Sequence, residues 1–292
     1  MVKLFAQLTK VGITIFVVLS AIAGYATGFE SERSFVWSHF FDLVLGVFVL
    51  SSGSLALNQV QEYKLDSLMK RTANRPVASG KITPTAAGLM AFFFIFTGLQ
   101  LLWEVSELSA YLGLATVLLY NGVYTYYWKP KWIYAAIPGA IPGTLPVTIG
   151  YAAVNNNVFS SESIYLFLIL FLWQMPHFWA LAIKFKDDYR EGGIPTLPVA
   201  LGMEKTLYQM GMYTLAYVGC ALASPMFYKT SWFYILLVVP VSLKLLQEYA
   251  KFHKSQGKDN WLKFFMWVNV SVLIFLLVPV LDKWNFLFIK SN

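Results

Sequence analysis

Apolar runs near the roughly 20 residues needed to cross the hydrocarbon core of a bilayer recur from one end of this chain to the other. Read between charged or Gly/Pro-rich breaks, nine of them fall at about 11–29, 38–57, 84–103, 108–127, 132–154, 162–184, 206–228, 231–250 and 261–282. The expected fold is therefore all-α, a polytopic membrane protein of nine transmembrane helices in one domain spanning residues 1–292. Composition agrees, since charged residues make up 13% of the chain where ordinary soluble domains carry about 25%. A hydrophobic content of 58% excludes disorder, and a single cysteine, Cys220 inside an apolar run, excludes an internally bridged disulfide scaffold.

The distribution of basic residues orients the helices. With residue 1 in the cytoplasm, all but four of the 22 Lys and Arg fall on the inner side, the exceptions being Arg33, Lys229, Lys283 and Lys290. Positive loops stay inside, so the N-terminus is expected in the cytoplasm and the C-terminus outside, in a multi-pass plasma (bacterial inner) membrane. Topology and anionic lipid account for the basic inner face, and nothing else in the sequence points to nucleic acid. Ala21-Ile22-Ala23 has the look of a signal-peptidase site. The run nevertheless continues to Phe29 and eight more spans follow, so an uncleaved first helix is expected.

Two inner loops are long, charged and rich in Gly and Pro. They lie four helices apart, a spacing compatible with two four-helix halves, roughly 11–127 and 132–250, plus a ninth helix at roughly 261–282. The first loop, 57–82, carries Asn58, Glu62 and Asp66 at i, i+4 and i+8. If the second helix continues through them, the three oxygen-bearing side chains stack along one face at the membrane edge. Mg²⁺ commonly takes one or two carboxylates together with substrate phosphates, so the ladder suits a metal-bridged diphosphate better than a bare ion cage. Lys70, Arg71, Arg75 and Lys81 follow and supply countercharge and forked donors for phosphate oxygens. The plainer alternative is a solvated helix end whose carboxylates pair with Lys64 and Lys70.

The second loop, 171–198, begins inside the sixth helix. Trp173, His177, Lys184 and Asp188 are expected on one helical face, with Pro176 kinking the helix just before His177. Asp187 and Asp188 give a second carboxylate pair at the inner edge, and Gly192-Gly193-Ile194-Pro195 breaks the chain into a loop able to fold over a site. Ionisable groups at such depth usually face a cavity, although a lone membrane histidine can also be hydrogen-bonded packing. His39 and His253, without neighbouring clusters, read as interfacial. The fourth helix brings Tyr124 and Lys129 to the inner surface, while Tyr126, Tyr127 and Trp128 fit an aromatic belt. Pro138, Gly139, Pro142, Gly143 and Pro146 in the fifth helix read as close helix packing ahead of a cavity wall.

Taken together, Asn58, Glu62, Asp66, Arg71-Thr72, Arg75-Pro76, the segment Trp173-Gln174-Met175-Pro176-His177-Phe178-Trp179 and Asp187-Asp188-Tyr189 resemble the UbiA-type intramembrane polyprenyltransferases. The His-Phe-Trp segment followed by Asp-Asp-Tyr and Gly-Ile-Pro-x-Leu-Pro resembles the heme-modifying branch, and the likeness runs from Thr9-Lys10 to the ninth helix. It implies nine helices around a central cavity with a lateral opening to lipid, and two Asp-rich motifs holding a Mg²⁺-bound isoprenyl diphosphate. The metal set so implied is Asn58, Glu62, Asp66, Asp187 and Asp188. Lys70, Arg71, Arg75, Lys81, Tyr124, Lys129 and Trp173 fall to substrate, and His177 to heme B, as iron ligand or propionate partner. Farnesyl diphosphate would be the donor and heme B the acceptor, with heme A synthase or oxidase assembly proteins as possible partners. Three departures stand out: Glu62 where the pattern has Asp, Lys184 where many members have Asp, and Val11 where Pro is common. The competing expectations are a sister enzyme acting on a quinone precursor or chlorophyllide, and a secondary transporter, whose site would sit near the midplane.

Overall fold

In the computed structural model, which describes residues 2–32 and 34–284, every regular element is helical. Arg33 and Lys290, two of the four basic residues assigned to the outer side, lie outside the described residues. The first helices are α1 (Val2–Leu8), α2 (Val11–Gly28), α3 (Trp37–Asp66), α4 (Pro84–Val105) and α5 (Glu107–Val117), the last running into a π-helix over Leu118–Trp128. Then come α6 (Lys129–Lys131), α7 (Ala136–Ala152), α8 (Ser161–Lys184), α9 (Lys186–Glu191) and α10 (Leu197–Ala200). The chain closes with α11 (Gly202–Leu222), a 3₁₀ turn at Ser224–Met226, α12 (Trp232–Lys254) and α13 (Trp261–Lys283). Local chemistry sets several starts. Thr83 caps α4 by accepting from the Ala86 N–H ahead of Pro84, and Ser160 and Ser231 cap α8 and α12 in the same way.

Six of these helices, α2, α3, α4, α8, α12 and α13, are long and apolar enough to cross a membrane. The other three expected spans are also helical but depart from the simple picture. The fourth is α5 joined to the π-helix, the fifth is the 17-residue α7, and the seventh is α11, which starts four residues early and stops at Leu222.

The chain divides into two compact units, Met1–Asn157 with Asp187–Thr196, and Val158–Lys186 with Leu197–Asn292. In the first, α2 and α7 meet backbone to backbone. A Cβ on Gly24 would overlap the Val147 carbonyl oxygen, and one on Gly150 the Ala21 carbonyl oxygen. Gly53 and Gly98 do the same for α3 and α4, where a Cβ would sit 2.8 Å from the Ile95 nitrogen and 2.6 Å from the Leu50 nitrogen. Small residues let membrane helices approach this closely, and dispersion contacts then hold them where lipid offers no hydrophobic drive. Ala21, Tyr25, Leu43, Val47, Leu50, Leu102 and Ile149 fill the core between them. The opposite face of α4 presents Leu89, Phe92, Phe93 and Phe96, an exposed apolar stripe suited to lipid rather than water. Because of the α2–α7 contact, α7 belongs with the first compact unit.

The second unit is built from α8 and α10–α13 around buried Tyr165, Tyr217, Tyr234, Phe252, Phe264 and Phe275. The three tyrosine hydroxyls are satisfied internally: Tyr165 and Tyr234 share a 2.7 Å bond, Tyr234 donates to the Ala221 carbonyl, and Tyr217 meets Ser271. Indole N–H groups tie α8 to α13, from Trp173 to the Val268 carbonyl and from Trp261 to the Ala180 carbonyl.

One expectation is corrected. α8 continues through Pro176 but ends at Lys184, because Phe185 adopts φ −108° and ψ 31°. Asp188 therefore belongs to a new helix, and the shared face of Trp173, His177, Lys184 and Asp188 stops at Lys184.

Candidate active site

The site in the first unit starts from the length of α3, which runs nine residues past the predicted span and carries Asn58, Glu62 and Asp66 with it. All three are buried, at 2%, 5% and 1% exposure, which rules out a solvated helix end. Each is met by a cation, Asn58 and Glu62 from distant parts of the chain and Asp66 from the loop that follows it. The Lys10 ammonium donates to Asn58 Oδ1 at 3.1 Å, Lys129 Nζ to Glu62 Oε1 at 2.5 Å, and Arg75 Nη1 to both Asp66 oxygens at 2.7 Å. Local pairing with Lys64 and Lys70 is not what the carboxylates do.

Turns in the first loop bring Arg75 back to Asp66. Thr72 donates its hydroxyl to the Asp66 carbonyl, its N–H bonds to the Met69 carbonyl, and the Arg75 N–H closes onto the Thr72 carbonyl. Lys10 sits between α1 and α2 with φ 49°, a left-handed residue that breaks the helix and aims its side chain at Asn58. Enclosure by protein lowers its pKa to about 7, with Arg75 and Lys129 adding to the drop and Glu62 and Asp66 opposing it.

Opposite α3 lies the π-helix, whose wider turn presents a polar row. Asn121 accepts from Ser54 Oγ at 2.6 Å and donates to Gln61 Oε1 at 3.0 Å, Asn58 donates to Thr125 Oγ1, and Lys129 follows at the end of the row. Such helices occur frequently at functional sites. Tyr120 and Tyr124 stack at 5.8 Å, and the Tyr124 ring lies so close to α7 that a Cβ on Gly139 would come 2.5 Å from it.

The second loop folds onto the first. Asp188 Oδ2 accepts the Arg71 backbone N–H at 3.2 Å, and Tyr189 receives the Arg71 guanidinium both on its hydroxyl and over its ring. α9 then ends in a Schellman motif: the Ile194 N–H bonds to the Tyr189 carbonyl and the Gly193 N–H to the Arg190 carbonyl. This requires the positive φ of 66° at Gly193, and Gly192 packs on Met69. Asp187 points elsewhere, 83% exposed and paired with Arg190. Lys70 and Lys81 are exposed and outside this network.

The second unit holds the other predicted residues. His177 Nδ1 is 2.9 Å from Asn269 Oδ1, with Trp173 and Phe265 flanking the imidazole at 4.7 and 5.0 Å. Phe265 stacks on Trp261, and the Lys184 ammonium sits 3.9 Å over the Trp261 ring.

Among the described residues no three His, Cys, Asp or Glu side chains gather to hold a metal unaided. Asn58, Glu62 and Asp66 are nonetheless an oxygen-only, buried donor set held close to cationic groups. That chemistry fits Mg²⁺ completed by the oxygens of a bound diphosphate.

Lys10, Ser54, Gln61, Asn121, Thr125, Tyr189 and Asn269 carry partners in these networks that the sequence did not assign. The visible signals were Tyr189 in the Asp187-Asp188-Tyr189 motif and Lys10 at the start of the family likeness, with no partner assigned to either from the sequence.

Comparison with known proteins gives this geometry its context. Residues 17–270 match the UbiA prenyltransferase family. A protoheme IX farnesyltransferase of Bdellovibrio bacteriovorus is 58% identical, with 100% of each chain covered. That of Leptospira biflexa is 32% identical over 97% of this chain and 99% of its own. Among solved structures, a UbiA homolog from Aeropyrum pernix K1 matches with a TM-score of 0.75 at 16% identity, covering 92% of this chain and 98% of that one. A UbiA homolog from Archaeoglobus fulgidus bound to GPP and Mg²⁺ matches with a TM-score of 0.63 at 15% identity, covering 94% and 99%. The chain is a multi-pass membrane enzyme that belongs to the UbiA prenyltransferase family.

Proposed function

We propose that this enzyme transfers a farnesyl group from farnesyl diphosphate to a vinyl group of heme B, giving heme O for the terminal oxidases, in a Mg²⁺-dependent reaction. The observation that carries the donor half is the buried Asn58–Glu62–Asp66 ladder with Lys10, Lys129 and Arg75 bonded to it. The acceptor half rests on the name borne by the relative at 58% identity and on the His177 niche. Nine spans with the N-terminus and charged loops in the cytoplasm, one prenyltransferase domain with related halves, and contacts with heme A synthase or oxidase assembly proteins complete the reading.

The chemistry asks the protein to stabilise a leaving group. The C–O bond of farnesyl diphosphate breaks with both electrons going to diphosphate, leaving a C15 allylic cation. Mg²⁺ held by Asn58, Glu62 and Asp66, with Asp188 supplied by the second loop, would neutralise part of the diphosphate charge. Lys10, Arg75, Lys129 and Arg71 act directly on its oxygens, as fixed donors aimed where charge develops. Arg75 and Lys129 hold the Asp66 and Glu62 side chains in place by ion pairs, cations that a bound diphosphate would share. The stacked Tyr120 and Tyr124 rings keep water from the allylic cation. The cation bonds to the terminal vinyl carbon, and the benzylic-type cation that results takes up water and releases a proton, giving the hydroxyethylfarnesyl group.

Purified protein in lipid, given heme B and farnesyl diphosphate, is expected to form farnesylhydroxyethyl heme with Mg²⁺ and none with a chelator. Product that forms equally well with chelator present would overturn the metal ladder, whatever the acceptor.

A further inference from the structure

The second unit contains a hydrogen-bonded pair whose chemistry goes beyond packing. Asn269 Nδ2 donates to the Phe265 carbonyl one turn back on α13 at 2.6 Å, which fixes the amide so that Oδ1 faces His177. An amide oxygen has no proton to give, so across the 2.9 Å contact His177 Nδ1 must be the donor. The neutral imidazole is thereby held as the Nδ1–H tautomer, and the lone pair is on Nε2. Among the described residues no hydrogen-bond partner is recorded for Nε2. Trp173 and Phe265 clamp the ring between them at 4.7 and 5.0 Å, and Trp173 is itself pinned through its indole N–H to the Val268 carbonyl.

A histidine that partners an anion such as a propionate needs an N–H directed at it, and the one N–H here is already spent on Asn269. A histidine that ligates a metal needs the reverse: a bare nitrogen, with the opposite N–H bonded to an acceptor that sets tautomer and ring angle. The geometry points to Asn269 as a positioning residue that presents His177 Nε2 to the iron of the heme substrate. The inference rests on the heme reading above and decides what that reading left open, iron ligation over propionate contact. Lys184, about 10 Å along α8 from His177 by helical rise, is the cation on that face for the carboxylate edge.

The test is heme binding by full-length protein in lipid nanodiscs, read by Soret absorption, EPR of the ferric form and the iron–histidine Raman stretch of the ferrous form. No donor substrate is needed. The wild type is expected to show a histidine-ligated heme, and His177→Ala to lose that signature and regain a nitrogen ligand on addition of imidazole. Asn269→Leu is expected to weaken heme binding about 10- to 100-fold and to lower or broaden the iron–histidine stretch. Asn269→Asp keeps an acceptor on Nδ1–H and is expected to restore ligation with the stretch raised, an effect that general loss of folding cannot produce. Heme bound to wild type with no histidine signature would overturn the inference and leave the heme reading standing. An Asn269→Leu spectrum and affinity equal to wild type would remove Asn269 from the role. Failure of wild type to bind heme at all would overturn both.

Discussion

Asp66 is the residue on which the proposed donor site turns, because it ends α3, is 1% exposed and takes both of its oxygens to one guanidinium nitrogen. Asp66→Asn keeps the shape and removes the charge. Farnesyl transfer is expected to fall about 10²- to 10³-fold in kcat with heme affinity unchanged, measured by product formation and by Soret titration. Equal loss of both would mean that the substitution disrupts the whole protein. Lys10 is expected to act on binding: Lys10→Met should raise the KM for farnesyl diphosphate about 10- to 100-fold, the worth of one charge-assisted hydrogen bond. An unchanged KM would return Lys10 to a structural role. The ladder on α3 was legible because i, i+4 and i+8 are neighbours on a helix. Lys10 and Asn269 were not, since their partners lie 48 and 92 residues away and no local period links them.

At the scale of elements, reciprocal glycines set how α2 and α7 meet, and the consequence is testable in the same assay for two sites. Gly150→Ala puts a methyl group into the Ala21 carbonyl and is expected to destabilise by about 1–3 kcal/mol. Gly88→Ala in α4 meets nothing within 4 Å and is expected to stabilise by about 1 kcal/mol from helix propensity. Thermal unfolding in one detergent compares them, and equal effects would contradict the close approach. The long apolar helices were readable from hydropathy alone. The π-helix at Leu118–Trp128 was not, because a window of apolar and aromatic residues fits either winding and its hydrogen bonds to α3 are tertiary. The end of α8 at Lys184 matches the expected span, whereas the fresh helix from Lys186 that carries Asp188 off the α8 face has no Gly or Pro before it to mark the turn.

At the scale of the whole molecule, the basic loops predict which side is the inside. In a Cys220→Ser background, Ser79→Cys is expected to resist a membrane-impermeant maleimide in intact cells and Asn156→Cys to react. The reverse pattern would invert the topology. Charge asymmetry is the sequence signal behind this expected sidedness, and the His-Phe-Trp segment with Asp-Asp-Tyr and Gly-Ile-Pro-x-Leu-Pro is the one that points to a heme acceptor, in line with the name of the relative at 58% identity.

The measurement closest to the central claim offers the lipid-embedded enzyme heme B and 4-hydroxybenzoate together, with farnesyl diphosphate and Mg²⁺, and identifies the prenylated product by mass spectrometry. The predicted result is farnesylhydroxyethyl heme alone, with the benzoate untouched. Prenylated benzoate with unmodified heme would keep the diphosphate site on α3 and contradict the assignment of His177 and its surroundings to heme.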